Sequence, residues 1–152
     1  MKRIVMMLLL AGVVYSSSVA QKITTDKVPA LVTRAFRSTF PQSSQQSWSM
    51  EGKTIYEVVF FNGNKKQSAT FDADGTWRET ETEIKFNELP HAVSAAFNKQ
   101  FGGFNIQETT MVETPDKGTL YELVVNKGKE GYEIQFSAKG ELVKKEAAKA
   151  ED

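Results

Sequence analysis

Two stretches of the sequence decide the fold: VPALVTRAFRSTF at residues 28–40 and LPHAVSAAFNKQF at residues 89–101. Proline, valine, alanine and both phenylalanines recur in the same order, displaced by 61 positions from Pro29 to Pro90. In each stretch apolar side chains recur every four residues, which places them on one face of an α-helix. The proline falls in the first helical turn, where a backbone N–H has no internal partner anyway. The sequence therefore predicts two similar helices.

After each helix the pattern changes to the alternation of period two that is typical of β-strands. Short connections such as Asp74-Gly75 and Lys139-Gly140 separate the strands, and short connections favour antiparallel hairpins. Gly75 and Gly140 are expected to adopt positive φ in matching turns. The predicted strands lie near Ser47–Glu51, Thr54–Phe61, Lys66–Asp72, Thr76–Ile84, Asn105–Thr114, Thr119–Asn126, Gly131–Ser137 and Glu141–Lys145.

The strands that follow the two helices also match each other, displaced by 65 positions, as from Tyr56 to Tyr121. Matches that keep their order over helices and hairpins predict two tandem units that bury their cores together. The expected fold is α+β: two tandem helix-plus-antiparallel-sheet repeats with the helices packed on one face of the sheet. We divide the chain into a signal peptide at residues 1–20, unit one at 21–87, unit two at 88–146 and a charged tail at 147–152. The charged stretch from Lys144 to Asp152 is expected to fray or to add a helical turn.

Alternation also assigns the two faces of the predicted sheet. Tyr56 and Val58 should lie beneath the helices, because Glu57 has the opposite parity and would be costly inside. The other side chains expected in the core are Phe60, Ala69, Phe71, Trp77, Tyr121, Leu123, Val125, Ile134, Phe136 and Leu142. The opposite, open face is more apolar than a plain solvent face requires. We take it as the candidate partner-binding surface, with Ile55, Glu57, Val59, Phe61, Leu120, Glu122 and Val124.

The first twenty residues have the pattern of a cleavable secretory signal. Lys2 and Arg3 precede the apolar run Ile4–Val14, and the segment ends in Ser18-Val19-Ala20. The run is shorter than the roughly 20 apolar residues that span a membrane, although an uncleaved anchor stays open as the alternative. We predict cleavage after Ala20, no membrane span afterwards, and a soluble protein that is periplasmic or secreted.

The amino-acid composition argues against several kinds of partner and active site. The 19 basic and 19 acidic residues balance, which argues against a nucleic-acid partner because phosphate binding needs a basic surface. The sequence has no cysteine, which excludes disulfides and thiolate sites. It has one histidine, His91, and histidine is the usual base at neutral pH. Nucleophile elbows and phosphate loops are missing from the sequence as well. We therefore expect a protein that is not an enzyme, with no catalytic residues, no cofactor and no metal.

Two acidic motifs leave a cation site open as an alternative. Asp72 and Asp74 before Gly75 resemble the start of a calcium loop, although a plain hairpin turn is the favoured interpretation. Glu79, Glu81 and Glu83 alternate and so share one face of a strand; a solvated strand end or edge is the simpler interpretation. Because Trp77 has the same parity, this strand is expected to leave the core along its length.

These motifs resemble the PepSY-like family, which is related to the β-lactamase-inhibitor-like fold. The resemblance rests on the paired Pro-x-x-Val-x-x-Ala-Phe-x-x-x-Phe helices, the Tyr-Glu-(Val/Leu)-Val strands and the Phe-x-Ala-x-Gly hairpins, and it extends from Asp26 to about Glu146. It implies exported bacterial proteins with helices on one face of a sheet and an open, often concave, opposite face. It also implies that inhibitor relatives use the open face against an enzyme. No inhibitory contact residue of theirs has a match here.

The sequence thus favours an exported, non-enzymatic binding module that uses the open face to bind a peptide, a protein or an envelope component. Two alternatives stay open. One is a proteinaceous inhibitor of an envelope or extracellular enzyme, acting through the same face. The other is a structural or self-associating envelope protein.

Overall fold

The computed structural model describes residues 20–148. The predicted signal peptide, apart from Ala20, and the last four residues of the predicted tail lie outside the described residues.

Within residues 20–148, nine strands form a single antiparallel sheet in which every strand lies beside its neighbours in the sequence. The strands are β1 (Gln21–Ile23), β2 (Ser43–Glu51), β3 (Ile55–Asn62), β4 (Lys65–Asp72), β5 (Trp77–Glu83), β6 (Asn105–Thr114), β7 (Gly118–Lys127), β8 (Glu130–Ser137) and β9 (Leu142–Ala147). The helices are α1 (Ala30–Thr39) and α2 (His91–Phe101), each preceded by a short 3-10 helix, Thr25–Lys27 and Phe86–Glu88. The α+β class, the hairpins and both helices are as predicted, whereas the three-residue β1 was not predicted.

Both α-helices pack on the same face of the sheet. In α1, the Phe36 ring lies 5.4 Å from the Trp48 ring and 5.0 Å from the Phe60 ring, measured between centroids. In α2, the Phe101 ring lies 6.3 Å from the Phe136 ring. Such edge-to-face contacts stabilise beyond the apolar area that they bury. Among residues 20–148, neither helix has the length and apolar character needed to cross a membrane.

The core consists of two clusters, one beneath each helix. The α1 cluster contains Val28, Val32, Phe36, Trp48, Tyr56, Val58, Phe60, Ala69 and Phe71. The α2 cluster contains Leu89, Val93, Phe97, Phe101, Leu123, Val125, Ile134 and Phe136. Trp77 and Tyr121 pack against these clusters while only partly buried. The predicted core is confirmed at all of its positions except Leu142.

The strand predicted near Glu141–Lys145 is present as β9, but two expectations for this end of the chain were wrong. Leu142 is 43% exposed, because β9 is an edge strand with a neighbour on one side only. The stretch from Lys144 to Ala147 is part of β9 and neither frays nor turns helical. Two contacts hold it in place: the Lys145 ammonium lies 3.9 Å from the centre of the Tyr132 ring, and the Lys144 ammonium lies 3.4 Å from a Glu133 carboxylate oxygen.

A β-bulge reverses the faces within β5. Phe71 pairs with Trp77 and Thr70 pairs with Glu79, so Arg78 is the extra residue. Trp77 therefore packs against the α1 cluster, while Glu79 turns to the opposite face. The expectation that the strand leaves the core was wrong: Thr80 and Thr82, beyond the bulge, are buried on the helix-covered face. The bulge explains why Trp77 and Glu79 share a parity in the sequence but lie on opposite faces.

Gly75 and Gly140 occupy matching hairpin turns directly against the two helices. Their φ angles are +89° and +80°, which confirms the predicted positive φ. In each turn the glycine N–H donates to a carbonyl three residues back, Asp72 O or Ser137 O, at 2.9 Å. A Cβ at Gly75 would lie 2.8 Å from Leu31 O, and a Cβ at Gly140 would meet Ala92 O more closely still. Each glycine therefore permits both the turn and the close approach of the helix backbone to it.

We expect Gly75→Ala and Gly140→Ala each to lower the free energy of unfolding by about 2–4 kcal/mol, since left-handed strain adds to a steric clash with helix backbone. Gly63→Ala is the matched control, because Gly63 has φ +63° but no atom lies within 4 Å of the place that a Cβ would occupy. It should cost about 1–2 kcal/mol. Urea denaturation measures all three. Equal losses at Gly63 and Gly75 would show that the helix contact contributes nothing.

Candidate functional site on the open face

The predicted surface residues share one face of the sheet, opposite the helices. Ile55, Glu57, Val59 and Phe61 alternate along β3 with side chains of the α1 cluster. Leu120, Glu122 and Val124 alternate in the same way along β7. Three strands separate the two groups, so they lie about 19 Å apart at an inter-strand spacing of about 4.8 Å. The structure thus places both groups on one open face but not in direct contact.

Side chains of the open face are buried although no helix of residues 20–148 packs on that side. Glu57 is 7% exposed and Thr70 is fully buried. Val112 and Leu120, further across the same face, are buried too. An uncovered flat sheet would leave such side chains in water. The burial therefore indicates that the sheet curves toward this side, so that neighbouring side chains cover one another.

Carboxylates occupy the middle of the open face, between the two predicted groups. Glu57 pairs across the sheet with Thr70, and Thr70 pairs with Glu79. Glu81 pairs with Val112, which pairs in turn with Leu120. We refer to the following residues as the carboxylate cluster: Glu57, Glu79, Glu81, Glu108 and Glu122.

The interpretation of Glu79 and Glu81 as a solvated strand end or edge was wrong. Strand β5 is the fifth of the nine strands that the described part of the chain forms, and both side chains are partly buried; Glu83, nearer the strand end, is exposed. Sequence reasoning also missed Glu108, Thr110 and Val112 on β6. Their alternation was visible, but their importance follows from a central position that depends on every hairpin in turn.

Some members of the cluster have hydrogen-bond donors within reach. The Ser49 hydroxyl donates to Glu57 at 3.1 Å, and the Gln135 amide donates to Glu122 at 2.7 Å. By contrast, Glu79 Oε1 and Thr70 Oγ1 are buried without a hydrogen-bond partner. Polar atoms at the centre of the open face therefore have fewer hydrogen-bond partners than those at its flanks.

Burial and mutual repulsion raise the pKa values of carboxyl groups in the carboxylate cluster. Burial, reinforced by the nearby carboxylates of Glu79 and Glu122, raises the pKa of Glu81 to about 9. Burial, reinforced by Glu133, raises the pKa of Glu122 to about 7, while the hydrogen bond from Gln135 opposes this rise. Buried like charges favour the protonated form of a carboxyl group. Chemically, the surface can accept hydrogen bonds, donate them from protonated carboxyls, and attract a cation.

The Asp72 and Asp74 carboxylates make contacts within and beside the β4–β5 hairpin turn. Asp72 Oδ1 lies 2.9 Å from Arg78 Nη1, and Asp74 Oδ1 accepts from the Thr76 N–H at 2.9 Å. This second bond is the largest cause of a lowered pKa at Asp74. Within residues 20–148, no three acidic or histidine side chains are grouped as metal ligands would be.

We expect the free energy of unfolding to fall as pH rises from about 5 to 9. An unfolded glutamate loses its proton near its ordinary pKa of 4.5, whereas folded Glu81 keeps it to about 9, so the folded state binds the extra proton in this window and loses that advantage with rising pH. The charged groups on the same face as Glu81 include Glu57 (β3), Lys66 (β4), Glu79 and Glu83 (β5), Glu108 (β6) and Glu122 (β7).

Glu81→Gln should flatten this dependence, because glutamine stays neutral throughout. Thermal unfolding at pH 5, 7 and 9 should show the variant gaining on the parent protein as pH rises. Glu113→Gln on the opposite face of β6 is the control and should follow the parent curve. Parallel curves for Glu81→Gln and the parent would contradict the assignment of a raised pKa to Glu81.

Known proteins share this architecture. The model of the family described as "Putative beta-lactamase-inhibitor-like, PepSY-like" matches residues 54–144. A solved structure from Bacteroides eggerthii, described as a "putative periplasmic" protein, is 25% identical with a TM-score of 0.73, over 79% of this chain and 88% of the other. A BLIP-like protein from Bacteroides fragilis is 24% identical with a TM-score of 0.75, over 82% of this chain and 89% of the other.

A third solved structure, a DUF2874 family protein from Bacteroides uniformis, is 24% identical with a TM-score of 0.73, over 78% of this chain and 88% of the other. A search of curated proteins finds no match to this chain. The family model covers more than half of the sequence, including the open-face strands β3 to β8 and half of β9. The chain therefore belongs to the PepSY-like, β-lactamase-inhibitor-like family.

Proposed function

We propose that this chain is an exported, non-enzymatic binding module that takes up a peptide, a protein or an envelope component on its open face. The observation that carries the proposal is the burial of apolar and acidic side chains on a face that neither helix covers. A face that only met solvent would not need apolar side chains such as Val112 and Leu120 at its centre.

The face is organised as a binding surface would be. Apolar side chains lie at both flanks, with Ile55, Val59 and Phe61 on β3 and Val124 on β7, and the carboxylate cluster lies between them. Apolar flanks supply area and exclude water, while central polar groups select the ligand. This combination supports recognition of a partner that is partly apolar and carries polar donors.

Export is the second part of the proposal. Residues 1–20 carry the pattern of a signal peptide, and a similar solved protein is described as periplasmic. These two observations support a periplasmic or secreted protein.

We also infer that the two halves of the chain are tandem copies of one unit. Each half contributes one helix, one core cluster and one glycine turn that meets the first turn of its helix. The open face would then be a composite of two related surfaces joined at β5 and β6.

Binding should depend on the β3 flank. Val59→Ala combined with Phe61→Ala should reduce partner retention at least tenfold when the protein, immobilised as residues 21–152, is exposed to an extract of its own cell envelope. Leu31→Ala is the matched control, because Leu31 is 52% exposed but lies on α1, opposite the open face. Quantitative mass spectrometry of the retained proteins is the measurement. Equal retention by the double variant and by the parent would place the site elsewhere.

Inhibition of an enzyme is a second candidate function. The family description names a β-lactamase-inhibitor-like protein, and a similar fold is called BLIP-like. If the chain acts in this way, stoichiometric amounts should slow nitrocefin hydrolysis by a class A β-lactamase, and the Val59→Ala, Phe61→Ala variant should not. Full enzyme activity at a tenfold molar excess of the parent protein would exclude that enzyme as the target.

A further inference from the structure

We propose that the centre of the open face is a subsite for the ammonium or guanidinium group of a lysine or arginine side chain on a partner polypeptide. We call this the central subsite and define it by Glu57, Thr70, Glu79 and Glu81. The inference rests on the proposed function, since it names the chemistry that the open face selects.

The register of three strands builds the central subsite. Glu57, Thr70 and Glu79 lie side by side on β3, β4 and β5. The two glutamates are thus two strand spacings apart, about 10 Å between backbones, with a small threonine between them. Glu81 follows Glu79 on the same face of β5. Thr70 has no exposed surface at the base of the gap between the Glu57 and Glu79 carboxylates, so a guanidinium or ammonium group would have to part these two side chains to reach it.

Two polar atoms in this gap have no partner within the described chain. Thr70 is fully buried and its Oγ1 makes no hydrogen bond, and Glu79 Oε1 is buried and equally unpartnered. Both oxygens accept hydrogen bonds. Buried polar atoms in native proteins are satisfied in the great majority of cases. A ligand with several N–H donors would satisfy both atoms at once.

The second half of the chain shows how this position is satisfied internally. Relative to the bulges in their hairpins, Thr70 pairs with Glu79 as Gln135 pairs with Lys144. The Lys144 ammonium lies 3.4 Å from Glu133, and its charge opposes the rise in the pKa of Glu122. The first half has a glutamate where the second half has this lysine. In the first half the nearby cation is Arg78, which is paired with Asp72 and only partly opposes the raised pKa of Glu79, so the full counter-charge has to come from outside.

The surrounding charges agree with a missing cation. The neighbours that raise the pKa of Glu81 beyond the effect of burial are all carboxylates, whereas at Glu79 the charges of Arg78 and Lys117 oppose a rise in pKa that burial dominates. The ion pairs on this face within residues 20–148 join Arg78 to Asp72 and Lys144 to Glu133 and Glu146. None of these pairs includes a residue of the central subsite. An incoming positive charge would favour the ionised form of Glu81 and take the place of its proton.

The neighbouring apolar residues favour a lysine or arginine side chain over a metal ion. Val112 lies beside Glu81 across the ladder, Leu120 lies beside Val112, and both are buried. Lysine and arginine carry an apolar stem behind the charge that can lie along such side chains. A metal ion would instead need several oxygen ligands converging at one point, and no such group exists within residues 20–148.

The test uses an acetylated, amidated pentapeptide with one central arginine between alanines, and a matched peptide with citrulline, which has the same shape without the charge. Both are titrated into the protein (residues 21–152) at low ionic strength and followed through its amide NMR signals. The arginine peptide should shift amides of β4 and β5 around Thr70 and Glu79. The citrulline peptide should bind at least fivefold more weakly.

Three variants locate the effect. Glu79→Gln combined with Glu81→Gln should weaken arginine binding at least fivefold, and Glu113→Gln on the opposite face of β6 should leave it unchanged. Glu79→Lys should abolish it, because it supplies the internal cation that the second half already has. Should the double variant fail to fold, Glu79→Lys decides the matter, since a lysine at the matching position is part of the folded second half.

Equal binding of the two peptides, binding that survives Glu79→Lys, or calcium alone occupying the β4–β5 centre would each overturn the central subsite. These outcomes differ from failure of the proposed function. If an envelope partner depends on Val59 and Phe61 but not on Glu79 and Glu81, the open face remains the binding surface and only the cation chemistry is wrong. If the arginine peptide binds at Glu79 while no partner depends on the β3 flank, the broader proposal fails instead.

Discussion

One-sided packing is the constraint on which the rest of the structure depends. The rings of Phe36 and Phe101 hold both helices against the same face of one continuous sheet. Each helix contributes one apolar stripe, so each covers one half of that face and leaves the opposite face without a helix. The remaining connections are hairpins between neighbouring strands, so no other element of residues 20–148 is brought to the open side. The candidate site is a consequence of how the core is built.

The carboxylate cluster opposes the stability of this fold. Groups such as Glu57 and Glu81 sit among buried neighbours, where desolvation and like charges oppose ionisation. The aromatic and aliphatic clusters under the helices stabilise a fold that can tolerate this opposition. Proteins keep such locally unfavourable arrangements where they serve a function. A surface that is poorly satisfied when empty gains most when a complementary ligand arrives.

Most of the secondary structure could be predicted from the sequence because it is set by local periodicity. The four-residue spacing from Val28 to Phe40 fixes α1, and alternation fixes strands such as β3 to within a residue or two. Three features escaped because they depend on more than one element. The extra residue at Arg78 is visible only from the pairing of Phe71 with Trp77. The exposure of Leu142 follows from its place in an edge strand.

The third feature is the burial of the open face, and it explains why the candidate site was only half found. Glu57 and Glu122 were recognised because each stands in a strong strand motif. Glu79 and Glu81 looked like a polar edge, since their strand has no apolar side chain on that face. Their importance arises when β4 and β6 pair on either side of β5 and the sheet curves. Lys144 follows the bulge of β9 as Glu79 follows that of β5, and it shows that an edge strand accepts a lysine at this register position. In the central strand β5, burial and like charges oppose the ionised glutamates. Folding alone therefore does not explain them, which is the physical reason to look for their cause in a partner.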